Sequence, residues 1–238
     1  MRRLGHNLRA LLLLVADLVP TAVARSEHYR SLRRRLSRAP ERFAVKSAAR
    51  PFTPGHWRER SLAGPETDLV IDGFPGSANS WVANAIRRAT DRPVRIESHF
   101  HYSAQLKRAR SFGVPAIVLI RAPQAACDSL KSKQPQTWDL LIILRWLTYY
   151  RYVARHPGSW HVVCFEQVIA DLDRLRRTNP DLERLCARPL DGEGESKRPS
   201  TQRTPIERSR PWMRWLLRRA ERRYRQLTGG LWQDRVAR

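Results

Sequence analysis

Apolar and polar positions fall into two kinds of block along this chain: short β-branched runs, and longer stretches with a helical period. DLVIDGF (68–74) is an apolar run of strand length, the pattern of a strand buried on both faces. NSWVANAIRRAT (79–90) sets Trp81, Val82, Ala85, Ile86 and Ala89 on one face, which predicts a helix. VRIESHF (94–100) reads as a second strand, followed by helix-like SAQLKRARS. On that strand His99 and His101 alternate and so share one face. PAIVLIR (115–121) reads as a third strand, and Pro123 opens a helix, where its missing N–H costs nothing. A helix over roughly 136–156 is apolar nearly all round, which predicts burial or a groove lining. WHVVCFEQV (160–168) reads as a fourth strand, with a helix near 171–186 after it. Residues 188–205 are a loop by composition, and residues 208–227 form a basic C-terminal helix. Met213, Leu216, Leu217, Ala220, Tyr224 and Leu227 give that helix an apolar stripe, the mark of a core-docking helix. Strands alternating with helices predict an α/β fold, three layers around a central parallel sheet. No internal repeat is visible.

The first 60 residues change the picture only at the edge. They form an Arg-rich arm with one apolar helix, and residues 61–238 form the main domain. The opening MRRLGHNLRALLLLVADLVPTAVA resembles a signal peptide, with a basic start and an A-x-A ending at Ala22–Ala24. Asp17 and Pro20 break its apolar run, which is too short to span a bilayer. It reads as a docking helix or one lying on a membrane surface. Cys127, Cys164 and Cys186 are too widely spaced for a metal site or a redox pair, and fit a reducing, cytoplasmic compartment.

Charge narrows the partners. The 238 residues carry 45 Lys+Arg against 22 Asp+Glu, a net charge of +23. Lys46, Lys107, Lys131, Lys133 and Lys197 are the lysines, so the excess is arginine, whose fork suits phosphate, sulfate and carboxylate. Anionic partners follow: a nucleotide, an anionic membrane met peripherally, or nucleic acid. A genome-wide arginine bias would give the same count. No nucleic-acid-binding motif accompanies the basic helix, so a specific nucleic-acid partner is not expected.

Candidate chemistry centres on DGFPGSANSW (72–81). A strand ending in a Gly-rich loop and then a helix gathers backbone N–H groups and the helix dipole around one point, which attracts phosphate. The triphosphate-binding pattern GxxxxGK followed by Ser or Thr is incomplete. Counting from Gly73, Ala78 stands at the second glycine and Asn79 at the lysine. The third strand ends in Arg121 and offers no carboxylate for magnesium. The loop architecture fits; triphosphate chemistry does not, and no metal is implied.

The stretch GFPGSANSW resembles the 5′-phosphosulfate loop of the sulfotransferases that use 3′-phosphoadenosine 5′-phosphosulfate (PAPS), through Phe74, Pro75, Ser77, Asn79, Ser80 and Trp81. RAPQAACDS (121–129) resembles that family's 3′-phosphate motif R-x-P-x-x-x-x-x-S, with Arg121, Pro123 and Ser129 in register. ESHFHYSAQL is similar to the family segment carrying the catalytic histidine, whose place His99 takes, and VVCFEQV is similar to a later strand. The motifs run in family order over about residues 68–168. The resemblance implies a P-loop NTPase-like topology and transfer of a sulfuryl group from PAPS, the co-substrate, to an acceptor hydroxyl of unknown identity. It makes Pro75, Gly76, Ser77, Ala78, Asn79, Ser80 and Trp81 cofactor-binding, with the 5′ side on the N–H groups of residues 76–80 and the hydroxyls of Ser77 and Ser80, and Trp81 stacking on adenine or packing in the core. It places the 3′-phosphate on Arg121 and Ser129. His99 is the implied base, with His101 as its rival; Glu166 is expected to hydrogen-bond locally.

Three departures stand out. Gly76 replaces the loop cation that supports the bridging oxygen, which predicts donor binding with slow turnover unless another arginine fills the gap. Ala78 replaces a glycine. The family's C-terminal phosphate motif has only KRPSTQR (197–203) as a substitute, where Lys197, Arg198 or Arg203 would close on the 3′-phosphate. Two other classes stay open: a non-catalytic nucleotide- or anion-binding protein, and a basic membrane- or nucleic-acid-associated protein.

Overall fold

The computed structural model describes residues 63–98, 101, 103–135, 137–192 and 205–233, all in the second of the chain's two units, Ala63–Arg238. The expected arm at residues 1–60 lies outside the described residues. Four strands, β1 (Leu69–Gly73), β2 (Ile96–Ser98), β3 (Ala116–Ile120) and β4 (His161–Cys164), form one sheet in the order β2-β1-β3-β4. Every neighbouring pair is parallel, with Ile71 opposite Ser98 and Ile117, and Ile120 opposite Cys164. Helices α1 (Asn79–Ala89), α2 (Ser103–Phe112), α3 (Pro123–Lys133) and α4 (Asp139–Ala154) connect the strands, and α5 (Phe165–Ala170), α6 (Leu172–Arg177), α7 (Pro180–Leu185) and α8 (Pro211–Gln233) follow.

Side-chain alternation along the strands builds the two flanking layers. Val70, Val118 and Ile120 face one way, onto Leu106 of α2, Leu130 of α3, Trp146 and Tyr150 of α4 and Met213 of α8. Leu69, Ile71, Ile117 and Leu119 face the other way, onto Val82 and Ile86 of α1 and Leu172, Leu175 and Leu182 of α6 and α7. The chain is therefore α/β, three layers around a parallel sheet, as its pattern of runs predicts. Each large side chain fully buried here, Trp146 and Tyr150 among them, contributes on the order of 2–3 kcal/mol by leaving water.

The structure corrects four sequence expectations. The second strand covers Ile96–Ser98, and His101 sits at φ +59, off the extended strand conformation; His99 lies outside the described residues. The fourth strand stops at Cys164 and Phe165 begins a helix. The single helix expected over 171–186 is two. Asn179 breaks it, its Oδ1 accepting from the N–H groups of Asp181 and Leu182 at 3.0 and 3.1 Å, with Pro180 opening α7. The C-terminal helix runs Pro211–Gln233 rather than 208–227.

The segment entering α8 is fixed by carboxylates. Asp128 of α3 accepts from the Ile206 N–H at 2.9 Å and pairs with Arg208 at 3.0 Å. Asp139 of α4 accepts from the Glu207 N–H at 2.7 Å.

Candidate active site

All five residues of β1 are buried, and its last, Gly73, lies so close to β3 that a Cβ there would stand 2.3 Å from the Leu119 carbonyl oxygen. The chain then turns. The Ser77 N–H donates to the Phe74 carbonyl at 3.2 Å, with Pro75 and Gly76 as the central residues and Gly76 at φ +88. This is a type II turn, which takes proline second and needs positive φ third. Gly76 is therefore dictated by the turn. A Cβ on it would also meet Ser129 Oγ at 2.7 Å. The position of the family's loop cation is closed from the opposite side by α3.

Ala78 sits in the left-handed region, φ 68 and ψ 19, immediately before α1. For a residue with a Cβ that conformation costs roughly 1–2 kcal/mol. The N-terminus of α1 has no side-chain cap and no acidic residue in its first turn. Its first backbone bond joins the Val82 N–H to the Ala78 carbonyl at 3.1 Å, so the N–H groups of Asn79, Ser80 and Trp81 precede the ladder. An uncapped helix start of this kind favours an anion.

The second half of the site arrives from β3 and α3. Arg121 is 2% exposed. It donates to the Gly76 carbonyl at 2.7 Å, and its guanidinium lies 4.1 Å over the Phe165 ring. A buried cation needs such partners, because it has lost water. Ser129 is buried beside it in α3. Gly76 thus meets both, its carbonyl accepting from Arg121 and its Cβ position facing Ser129, 53 positions later in the chain. Ser77 is fully buried in the same place. Its Oγ makes no hydrogen bond of good geometry, although the Tyr150 hydroxyl lies near it.

A polar network holds this assembly from below. Tyr150 Oη accepts from the Phe74 N–H at 3.1 Å and donates to the Leu119 carbonyl at 2.7 Å. Burial raises its pKa beyond the ordinary tyrosine range, so the donated proton stays. Asp72 accepts through Oδ1 from the N–H groups of Gly73 at 2.9 Å and His101 at 3.1 Å. The Tyr149 hydroxyl faces the same carboxylate, and burial first, then Asp72, pushes that phenol well above its usual pKa. His101 Nδ1 lies 2.7 Å from the Gly73 carbonyl. A carbonyl only accepts, so Nδ1 carries the proton and Nε2 is the acceptor nitrogen of the neutral ring. That is the tautomer a general base requires.

The residues expected from sequence separate into four groups, with Glu166 apart from them. Pro75, Gly76, Ser77, Ala78, Arg121 and Ser129 converge at the turn. Asn79 and Trp81 point inward: Asn79 Nδ2 donates to the Gly73 carbonyl at 3.2 Å, while Trp81 joins the core and its Nε1 donates to the Gly192 carbonyl at 3.3 Å. Ser80 is exposed on the first turn of α1. His99, Lys197, Arg198 and Arg203 lie outside the described residues. Glu166 accepts from the Tyr224 hydroxyl at 3.3 Å. Sequence reasoning missed Asp72, Tyr149, Tyr150 and Phe165. A lone carboxylate inside the apolar run LVIDGF was a signal for the first. The aromatics carry none, because they reach the loop only through tertiary packing.

No family model matches the chain, and no curated protein matches it. Among solved structures, it is similar to a mouse sulfotransferase, SULT7A1, complexed with PAP. The TM-score is 0.43 and the identity 14%, over 68% of this chain and 67% of that one.

Proposed function

We propose that this chain binds a 3′-phosphoadenylyl nucleotide and transfers the sulfuryl group of PAPS to an acceptor hydroxyl. The convergence of Arg121, Ser129 and the uncapped start of α1 on Gly76 carries this reading. A buried cation, a buried hydroxyl without a good partner at Ser77, and helix N–H groups form a donor set that fits phosphate and sulfate. The donor supplies an activated sulfuryl group whose bond to the 5′-phosphate breaks as the acceptor oxygen attacks sulfur, leaving adenosine 3′,5′-bisphosphate. The loop N–H groups orient the 5′ side. Arg121 and Ser129 hold the 3′ side. A histidine of the 99–101 segment takes the acceptor's proton: His99 by motif register, with His101 supported as alternative by its Nδ1–H tautomer.

Calorimetric titration without magnesium tests the binding step. Adenosine 3′,5′-bisphosphate binds clearly more tightly than AMP, and Arg121→Ala weakens the bisphosphate by roughly 1.5–3 kcal/mol while leaving AMP nearly unchanged. Equal affinity for both nucleotides overturns the 3′-site. Turnover by His99→Ala and His101→Ala, each with intact nucleotide binding, identifies the base.

A second reading, a nucleotide-binding protein without turnover, is favoured by one observation. The loop-cation position is a positive-φ glycine whose Cβ space Ser129 already fills. Binding with no sulfuryl transfer to any hydroxyl acceptor, and no PAPS hydrolysis, selects it.

A further inference from the structure

Helix α8 is two-faced in a way the candidate active site does not use. Met213 and Ala220 are fully buried and Leu216 nearly so, which seats one stripe on the core. Opposite that stripe stand Trp215 and Arg222, seven residues apart on one helical row. Trp212 and Trp215 are 41% and 49% exposed. Arg214, Arg218, Arg219, Arg222 and Arg225 are exposed around them, and Glu221, one turn before Arg225, is the acidic neighbour that offsets it. Arg219 lies 5.5 Å from the Trp215 ring centroid. Trp138, 52% exposed, precedes Asp139, which accepts from the N–H of Glu207 four residues before α8. Five large hydrophobic side chains are exposed among the described residues, and three of them are these tryptophans. Positive potential is concentrated here: burial first, then Arg151, Arg219 and Arg155, lower the pKa of Arg223.

We propose that this face of α8 docks on an anionic phospholipid bilayer. The argument is charge complementarity combined with exposed indoles. Five exposed arginines beside the single acidic neighbour Glu221 match a surface of phosphate and carboxylate headgroups. Tryptophan rings, apolar with one N–H, settle at the boundary between headgroups and acyl chains. A duplex nucleic acid would use the arginines and leave the indoles in water. No helix among the described residues is long and apolar enough to cross a membrane, so the contact is peripheral, with α8 lying along the surface. This proposal is independent of the sulfuryl-transfer reading.

Sedimentation of the full chain with vesicles tests it. Vesicles of phosphatidylcholine containing phosphatidylserine bind the protein, those of phosphatidylcholine alone do not, and rising salt releases it. The triple variant Arg214→Glu/Arg218→Glu/Arg222→Glu loses affinity on the order of a hundredfold. The double variant Trp212→Ser/Trp215→Ser binds about tenfold more weakly, and its tryptophan fluorescence loses most of the quenching by brominated acyl chains. Both variants keep the wild-type unfolding temperature and bisphosphate affinity, because every altered side chain is exposed. Binding that ignores phosphatidylserine, or a triple variant that binds like wild type, overturns the proposal. So does tighter binding to single-stranded DNA than to the anionic vesicles at equal salt, if the triple variant abolishes it; α8 is then a nucleic-acid face.

Discussion

Two sets of arginines put the same side chain to opposite uses. Arg121 at the end of β3 is buried, with its guanidinium fixed by the Gly76 carbonyl and the Phe165 ring. The arginines of α8 stand in water on a helix whose other face is core. A desolvated cation must have its partners supplied by the fold, so Arg121 ties three chain segments together. Solvated cations need no partner, and their worth to stability is small. Residue type therefore says little about role here. Burial and the partners it enforces decide.

The contrast predicts that substitutions around the phosphate loop act on folding and nucleotide binding together, while substitutions on the exposed face of α8 act on neither of those two. Gly73→Ala gives the largest effect. Its Cβ would press on the Leu119 backbone oxygen at 2.3 Å, and backbone cannot step aside. A loss of about 4 kcal/mol or more, read in a denaturant titration, is expected. A folded Gly73→Ala protein of ordinary stability would mean that β1 and β3 can separate and that the loop is not rigidly mounted.

Gly76→Lys comes next. Restoring the family's cation would raise turnover if the position were a simple gap. Instead, φ +88 and the Ser129 contact predict a cost of about 2–4 kcal/mol and weaker bisphosphate binding. Faster sulfuryl transfer with unchanged affinity would show that the turn can be remade around a lysine.

Tyr150→Phe removes the hydroxyl that satisfies both the Phe74 N–H and the Leu119 carbonyl. Leaving those buried groups without it costs about 2 kcal/mol, measurable as a lower unfolding midpoint.

The smallest pair sharpens the comparison from both sides. Ala78→Gly relieves a left-handed alanine and raises stability by up to about 1 kcal/mol, with nucleotide affinity unchanged or improved. Arg222→Gln on the exposed face of α8 shifts the midpoint by less than about 0.5 kcal/mol. A large loss there would mean that the outer arginines are structural after all.

Much of the frame was legible in sequence, and the exceptions have a common cause. Strands β1 and β3 showed themselves as unbroken β-branched runs because both faces of a parallel sheet are covered. The strand at 160–168 was overread by its tail. FEQV continues the apolar pattern, but Phe165 turns to cover Arg121 and the helix begins there. The break in the 171–186 helix was readable and was missed: Thr178-Asn179-Pro180 carries both a cap and a helix-opening proline. The site was half legible. Motif spacing names Pro75, Gly76, Ser77, Arg121 and Ser129, which the fold brings to one turn. Asp72, Tyr149 and Tyr150 were not, because a side chain reaching across 76 residues leaves no local signal.

The sequence by itself determined the order of strands and helices, the position of an anion-attracting loop at the end of β1, and the two-faced character of the C-terminal helix. These follow from periodicity and from the few conformations that Pro-Gly and helix starts allow. Only the tertiary structure decided why Gly76 is a glycine. The turn demands positive φ, and Ser129, 53 positions later, occupies the space of any side chain. Only it decided that His101 carries its proton on Nδ1, since the carbonyl that fixes the tautomer belongs to Gly73 of β1, 28 positions earlier. Such facts depend on distances between remote segments. Packing sets those distances, and no local pattern encodes them.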